Sequence, residues 1–437
     1  MKNIALEELK NYYNEEVEIC GFIDKIRDLQ YVQFLILKDR TGKVQVTIEK
    51  NKENELLNEI VSNLNVESTV TVIGKLVENQ NVKLNKMEVL PKSIIETSKC
   101  LEELPINYKE QSSYSMDTKL DYRFLDLRNE KNILMFQIQS LFIDSMRRYL
   151  IDNKFTEIHT PKFIATASES GSEVFEVKYF DKKAYLAQSP QFYKQMAMAS
   201  GFEKIFEIAP VFRAENSNTN RHATEFTSFD VEFSYINSYT DVMDLEEKLL
   251  YEGLLKVKEV YGEKIKEVFN VDVHIPKLPF PRIKLQDLYK ELEKRYGYKI
   301  PSEDIGDMNA ETEKLTYKYA MEEFDSEFIF VTDFNKSKRA FYHMRKCDIP
   351  QGYDLIWKGM EITTGAQREH RYEILKNQAL EKGLNDDVKF YLDFFKYGCP
   401  PHGGFALGVD RITLLLLNLN TVKESMFIFR GPNRLNP

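Results

Sequence analysis

The sequence predicts an α+β chain with a small N-terminal β-barrel and a larger region in which helices flank a sheet. Three observations carry this. Residues 17–95 hold five short runs of strand-like alternation, with one helical run between the third and fourth. Residues 206–235 hold two further apolar or alternating runs joined by a polar connector, the pattern of a long antiparallel hairpin. Residues 130–153 and 240–325 carry apolar residues at helical spacing. At 437 residues the chain is long enough for two to three domains with sizeable cores.

Composition narrows the class. With 43% hydrophobic and 30% charged residues the chain reads as globular. Its net charge of −9 argues against a protein that coats nucleic acid indiscriminately, and no DNA partner is expected. A local basic patch for one specific RNA is compatible with that balance. No apolar run of about eighteen residues occurs, so no membrane span is expected. The polar start MKNIALEELKNYYNEE lacks a signal-peptide core. Cys20, Cys100, Cys347 and Cys399 form no CxxC pair, which points to free thiols in a reducing cytoplasm rather than to zinc or disulfides.

Residues 1–15 are expected to form a short amphipathic helix with Ile4, Leu6, Leu9 and Tyr13 along its apolar edge. The strand runs are Val17–Ile26, Gln33–Lys38, Lys43–Glu49, Thr69–Leu76 and Lys86–Leu90, and the helical run is Glu53–Leu64. Asp39-Arg40-Thr41-Gly42 is read as a turn in which Gly42 supplies a positive φ. Five strands with that helix placement suggest an OB-fold barrel over residues 1–97, a fold that binds single-stranded nucleic acid on aromatic and basic residues. Arg27, Gln33 and Phe34 are the candidates on that face. As plain structure, Phe34 is barrel core and Arg27 a solvated charge. The charged stretch 98–130 reads as a hinge, and 131–437 as a second domain.

In that domain Leu134, Ile138, Leu141, Met146 and Leu150 make a helical stripe. Pro161 follows a short strand and suits an edge or interface. The run QSPQFYKQ (188–195) turns at Ser189-Pro190 into a helix bearing Gln191 and Lys194, and Glu169 is a loop carboxylate before Gly171. Residues 240–325 are helical and charged, with a small insertion over 282–325, and no chemistry is assigned there. The hairpin connector carries Arg213, Glu215, Arg221, His222 and Glu225. It is either a solvated tip or a phosphate site, since a guanidinium fork suits a phosphate and Phe226 can stack on a base. Glu361 and Thr364 stand three apart on a strand, so a bulge or strand end is needed to aim both at one place. A carboxylate and a hydroxyl facing phosphates suit Mg²⁺, and Arg368 can pair bidentately with a carboxylate. The glycines of GGFALGVDR (403–411) allow close approach to a ligand, and Arg411 lies in the first turn of the apolar helix that follows.

The run FRAENSNTNRHATEF (212–226) resembles motif 2 of the class II aminoacyl-tRNA synthetases, in the form of the aspartyl and asparaginyl branch, over about fifteen consecutive positions. Helix, strand and Pro161 resemble motif 1, the family's dimer interface. GMEITTGAQREH (359–370) resembles the family's GxEIxxGAQRxH run, with Thr364 for the commoner Ser, and GGFALGVDR resembles motif 3. Ala406 stands where Gly is commoner and Asp410 where Glu is. FIFRGPNRLNP at the C-terminus parallels the usual FPRD…RLTP, with Phe429 for Pro and Gly431 for Asp. GFIDKIRDLQYVQFLILKDRTGKVQVTI (21–48) resembles the family's anticodon-binding domain, in which Phe34 matches the Phe that stacks on an anticodon base. Phe22 and Asp24 replace the Trp and His that relatives often carry there, which leaves tRNA choice open.

The resemblance implies an OB barrel and a catalytic domain on a six-stranded antiparallel sheet flanked by helices. It implies a homodimer of the archaeal and eukaryotic type, because the gap between motifs 2 and 3 is too short for the extra domain of bacterial enzymes. The implied reaction activates L-aspartate with ATP and Mg²⁺ and transfers it to tRNA-Asp, with tRNA-Asn left open as a second acceptor. By resemblance Arg213 holds the α-phosphate and Arg411 the γ-phosphate, and these two are the catalytic residues. Glu215 and Phe226 frame the adenine, while Arg221 and His222 hold the bent triphosphate. Ala223, Gly408, Val409 and Asp410 complete the ATP site. Glu361 and Thr364 carry the metal. Lys194 and Arg368 clamp the aspartate side chain with Gln191 nearby, Glu169 and Asp230 take its α-ammonium, and Arg213 and Thr364 also face it. Asparaginyl relatives lack the lysine, and a carboxamide would leave a buried ammonium poorly compensated. An asparaginyl enzyme, an amide-forming paralogue and a silent RNA-binding paralogue are the alternatives. Lys194, the barrel, and the retained Arg213, Glu361 and Arg411 argue against them in turn.

Overall fold

In the computed structural model, residues 3–110, 113–165, 174–217, 219–384 and 386–437 are described. The contacts divide the chain into two compact units, Met1–Tyr114 with Leu127–Ile133, and Ser115–Asp126 with Leu134–Pro437.

The alternating N-terminal runs close on themselves. Strands β1 (Glu16–Asp28), β2 (Val32–Lys38), β3 (Lys43–Glu49), β4 (Thr69–Glu78) and β5 (Met87–Ser98) form a barrel in the order β1-β2-β3-β5-β4. A parallel β3–β5 pairing seals it, and helix α1 (Glu55–Ser62) lies between β3 and β4 in sequence. Period-2 residues such as Val17, Ile19, Leu35, Leu37, Val44 and Val46 fill the interior. Two local expectations are corrected. The N-terminal helix is only a short 3₁₀ segment, Leu6–Asn11, whose Leu6 and Leu9 are buried. Gly42 is not among the residues with positive φ. The turn is instead held by the Asp39 carboxylate, which accepts from the backbone N–H groups of Thr41 and Gly42 and from the Thr41 hydroxyl.

The second unit opens with α2 (Met116–Asp121) and α3 (Arg123–Asp126), followed by α4 (Glu130–Asp152), whose first residues belong to the first unit. Its sheet is built from β6 (Thr156–Glu157), β10 (Lys204–Phe212), β11 (Glu225–Ser234), β12 (Arg282–Lys284), β13 (Phe328–Thr332), β16 (Gly352–Trp357), β17 (Met360–Gln367) and β18 (His402–Gly408). A separate small sheet holds β7 (Phe163–Ile164), β8 (Glu176–Tyr179) and β9 (Lys182–Leu186), and β14 (Arg345–Lys346) pairs with β15 (Ile349–Pro350). The remaining helices are α5 (Gln191–Ala199), α6 (Tyr239–Phe269), α7 (Leu285–Tyr296), α8 (Ala310–Phe324), α9 (Tyr372–Glu381), α10 (Lys389–Phe394), α11 (Val409–Leu416) and α12 (Val422–Ser425).

The main sheet has eight strands in the order β12-β13-β16-β17-β18-β11-β10-β6, not six. The six central strands are antiparallel as expected. The extra two are short edge strands paired in parallel, β12 on β13 and β6 on β10. β6 is the short edge strand expected before Pro161, whereas the three residues of β12 carry too few alternating positions to be read from sequence. One face of the sheet is buried under α4, α6 and α11, with Met135, Ile138, Phe142, Met146, Leu249, Leu250 and Ile412 against Phe206, Phe229, Val231, Phe405 and Leu407. Residues 282–325 are tied to the edge of the sheet through β12, and α7 and α8 bury Leu288, Leu292, Tyr319 and Ala320 against Ile329, Val331 and Ile356. No helix among the described residues is long and apolar enough to cross a membrane.

Candidate active site

Strand alternation builds the floor of the site. Along β11, Phe229 and Val231 face the core, so Ser228, Asp230 and Glu232 face the other way. All three are buried. A register shift against β16 leaves Ile362 without a partner between Glu361 and Thr363. This is the bulge the spacing demanded, and it brings the Thr364 hydroxyl 2.9 Å from Glu361 Oε1, to which it donates. A cavity of about 230 Å³ opens over this floor. Its lining includes Gln191, Lys194, Arg213, Glu215, Arg221, His222, Ala223, Phe226, Asp230, Glu361, Thr364, Arg368, Gly408, Asp410 and Arg411. These come from four stretches far apart in sequence. Val409 is not in the lining, because its side chain is buried in the core under the sheet. Glu169 lies outside the described residues.

At one end of the cavity two cations meet two carboxylates. Lys194 Nζ stands 3.1 Å from Asp230 Oδ1 and 3.3 Å from Glu232 Oε2. Arg368 donates through Nε to Glu232 Oε1 at 3.0 Å and through a terminal nitrogen to the Gly404 carbonyl at 2.9 Å. All four side chains are buried. Burial pushes the Glu232 carboxyl up, but the Arg368 and Lys194 charges outweigh it and hold the group below the usual carboxylate range. The pocket is therefore not bare cation, as two isolated basic residues would suggest. It is charge-balanced, with Ser228 Oγ also donating to Asp230 Oδ2 at 2.6 Å. Behind it, Gln195 contacts His402 Nε2 at 3.0 Å, and burial lowers that imidazole to about 4, so it is neutral.

At the other end the guanidinium of Arg213 lies 5.3 Å from the centre of the Phe226 ring. Arg411 donates to the carbonyls of Arg221 at 3.3 Å and Glu361 at 3.1 Å. His222 sits beside Ser217 and Thr219, and burial first, then Arg411 and Arg221, lower its pKa and keep it neutral. Burial pushes the Asp410 carboxyl up to about 7. The two C-terminal departures are one packing event. The Phe429 ring joins Leu120 and Met426 beside Ala223 and Phe226, and a Cβ at Gly431 would stand 2.7 Å from that ring.

Several residues of the site were not anticipated. Glu232 stands two positions after Asp230 on the same strand face, so period 2 was the signal that could have found it. Asp354, the cross-strand partner of Thr364, has Oδ1 2.9 Å from the same hydroxyl, whose single proton serves one of the two carboxylates at a time, and is clamped by Arg339 at 2.8 and 2.6 Å. Glu313 on α8 reaches the same place from a region to which no chemistry had been assigned. No local pattern marks either. In the barrel, Arg27 and Phe34 line a groove with Tyr31, Gln45, Thr47 and Glu88. Gln33 does not share that face. It is buried, and its Nε2 donates to Ser62 Oγ of α1 at 3.0 Å, because neighbours on a strand point oppositely.

A barrel of this kind followed by an antiparallel sheet with such a cavity defines a class, and comparison with known proteins bears it out. Residues 115–429 match the model of the class II tRNA synthetases (D, K and N), and residues 17–96 match that of the OB-fold nucleic acid binding domain. The chain belongs to the class II tRNA synthetases and, within them, to the aspartate–tRNA ligase family. It is 40% identical to the aspartate–tRNA(Asp/Asn) ligase of Aeropyrum pernix, with 96% of this chain and 95% of that protein covered. It is 39% identical to the aspartate–tRNA(Asp) ligase of Pyrococcus furiosus, with 100% and 98% covered. Among solved structures, the asparaginyl-tRNA synthetase of Pyrococcus horikoshii complexed with asparaginyl-adenylate matches with a TM-score of 0.89 at 30% identity, covering 100% of both chains.

Proposed function

We propose that this chain activates L-aspartate with ATP and passes the aspartyl group to the 3′ end of tRNA-Asp, with tRNA-Asn as a second acceptor if the barrel reads the anticodon loosely. The observation that carries the amino acid is the buried Lys194–Asp230–Glu232–Arg368 cluster. Aspartate brings one ammonium and one extra carboxylate, so it enters a charge-balanced pocket without leaving an ion unmatched. Asparagine brings no side-chain charge, and buried charges that lose a partner discriminate far better than an apolar wall.

The aspartate α-carboxylate attacks the α-phosphorus of ATP, the bond to the β-phosphate oxygen breaks, and pyrophosphate leaves. The terminal hydroxyl of tRNA then attacks the mixed anhydride and AMP leaves. Both steps rest on positioning and charge stabilisation. Arg213 binds the α-phosphate, with Arg221, His222 and Arg411 along the triphosphate and Phe226 under the adenine. Glu361 and Thr364 offer hard oxygen donors side by side. Among the described residues no cluster of three or more His, Cys, Asp or Glu could hold a metal by itself. That donor set suits Mg²⁺, which binds through one or two carboxylates plus substrate phosphates and supplies charge neutralisation on the phosphoryl oxygens. Arg27 and Phe34 in the barrel groove contact the anticodon. The active form is a cytoplasmic homodimer joined through the α4–β6 region.

Amino-acid-dependent exchange of pyrophosphate into ATP tests this. Aspartate should support exchange and asparagine should not. Arg213→Ala should lower exchange by about 10²–10³, as loss of a charge-stabilising donor does, while tRNA binding by filter retention stays unchanged. Exchange driven by asparagine would favour the asparaginyl reading. Equal loss of exchange and tRNA binding would remove Arg213 from its role.

A further inference from the structure

Outside the runs that resemble the family's motifs, one side chain touches both the Arg221 loop and the start of β17 at the nucleotide end of the cavity. Glu313 lies on α8, within the helical region 282–325. It is 4% exposed. Its Oε2 accepts from the Arg221 guanidinium at 2.7 Å and from the backbone N–H of Glu361 at 3.1 Å. A single carboxylate oxygen thus links the loop that carries Arg221 to the start of the β17 bulge that carries Glu361 and Thr364. Arg411 makes a second link between the same two places, from the Arg221 carbonyl to the Glu361 carbonyl. Helix α8 is fixed over this spot. It packs on the turn between β16 and β17, where Gly359 has a φ of +81° and a Cβ would lie 3.3 Å from Lys314 Cα.

We propose that Glu313 is a positioning residue for the nucleotide, orienting Arg221 and the Glu361 backbone before ATP binds; this rests on the assignment of the cavity to ATP and an amino acid. The bond to Glu313 uses one terminal nitrogen of Arg221. The guanidinium has five N–H donors in a rigid fork, so its remaining edge is left for an anion in the cavity. Arg221 is otherwise a long side chain at 28% exposure on a polar loop. Its freedom has to be given up when phosphate binds, and fixing it in advance raises affinity. The amino-acid pocket is built from α5, β11 and the end of β17, and Glu313 bonds to none of it. Its effect is therefore specific to ATP.

The test is a set of affinities measured on the full-length protein. ATP binding is read by calorimetry without amino acid, and KM values for ATP and aspartate by pyrophosphate exchange, with the melting temperature read beside them. Glu313→Ala should weaken ATP binding about tenfold and leave the aspartate KM within about twofold. Glu313→Gln keeps one carbonyl oxygen that can accept both bonds and should bind ATP within about threefold of wild type. Glu313→Asp keeps the charge but withdraws the oxygen, and should fall between the two. In the Glu313→Ala/Arg221→Ala pair the ATP effects should be non-additive, because Glu313 acts through Arg221. The proposal is overturned if Ala or Asp variants bind ATP as well as wild type or better, if the two effects add in full, or if the aspartate KM rises as much as that for ATP. Calorimetry keeps the two readings apart. An ATP effect in a protein that shows no aspartate-dependent exchange supports the role of Glu313 and counts against the amino-acid assignment.

Discussion

Glu246 shows how a single residue can carry a property that its neighbours in sequence do not suggest. It sits on α6 beneath the sheet, fully buried, with the Tyr353 hydroxyl donating to Oε2 at 2.6 Å. Burial dominates and pushes its carboxyl up to about 8. The folded state therefore holds a proton that the unfolded chain releases above its ordinary value of 4.5. Stability from this group is full below that ordinary value and is lost as pH rises towards 8, with a slope of at most about 1.4 kcal/mol per pH unit. Glu246→Gln keeps the acceptor for Tyr353 and removes the titration. In urea melts across this window the wild type should lose stability with rising pH, and the variant should lose less. Parallel curves would show that Glu246 does not titrate there. In sequence, Glu246 reads as one more charge in a charged amphipathic helix. By contrast Lys194, Arg368 and Arg411 were legible through the runs QSPQFYKQ, GMEITTGAQREH and GGFALGVDR, which resemble the family's motifs; the turn, strand end or glycines beside them would by themselves have left surface charges.

The element that organises the end of the cavity lined by Arg221, Glu361 and Arg411 is the β16–β17 hairpin. Its bulge was required by the spacing of Glu361 and Thr364, but its position at Ile362 is set by pairing with β16. Next to the bulge, Gly365 lies under the Tyr353 ring, and a Cβ there would collide with the ring and its hydroxyl. Tyr353 cannot retreat, being fully buried and tied to Glu246. Gly365→Ala should destabilise by about 1–3 kcal/mol through overpacking, and should raise the KM for ATP because Thr364 and Glu361 shift with the strand. Gly262→Ala is the matched comparison. Gly262 lies inside α6, where a Cβ would meet only Lys258 Cγ at 3.5 Å. It should gain up to about 1 kcal/mol from helix propensity. Thermal melts of the two variants should move in opposite directions, and a fall for both would make the effect at Gly365 a general intolerance of substitution.

At the scale of the whole molecule the question is what the barrel adds to the catalytic unit. Its groove presents Arg27, Tyr31 and Phe34 beside Gln45 and Glu88, a basic and aromatic surface with hydrogen-bonding groups at its edge. Aspartylation of tRNA-Asp and tRNA-Asn transcripts, measured side by side with ATP and Mg²⁺, reports how strictly that surface reads. Charging should reach tRNA-Asp, and Phe34→Ala should reduce its kcat/KM by about tenfold or more through loss of base stacking while leaving pyrophosphate exchange unchanged. Loss of exchange in that variant would mean that the change had damaged the fold instead. Charging of tRNA-Asn as well would identify a relaxed reader.

The sequence by itself determined the barrel strands and the long hairpin, and its resemblance to the family's motifs implied the six-stranded antiparallel core of the sheet and most of the residues that meet in the cavity. Those features are written in local period, in turn residues and in uninterrupted motifs, all of which act over a few neighbouring positions. Only the tertiary structure decided the rest. It set the β12 strand and the parallel pairing of both edge strands, the side of the barrel to which Gln33 points, and the pairing of Lys194 and Arg368 with Glu232. It also set the reach of Glu313 from α8 to Arg221 and Glu361. Each of these depends on a contact between stretches distant in sequence, where burial removes water and leaves a charge or a polar edge only one place to find its partner.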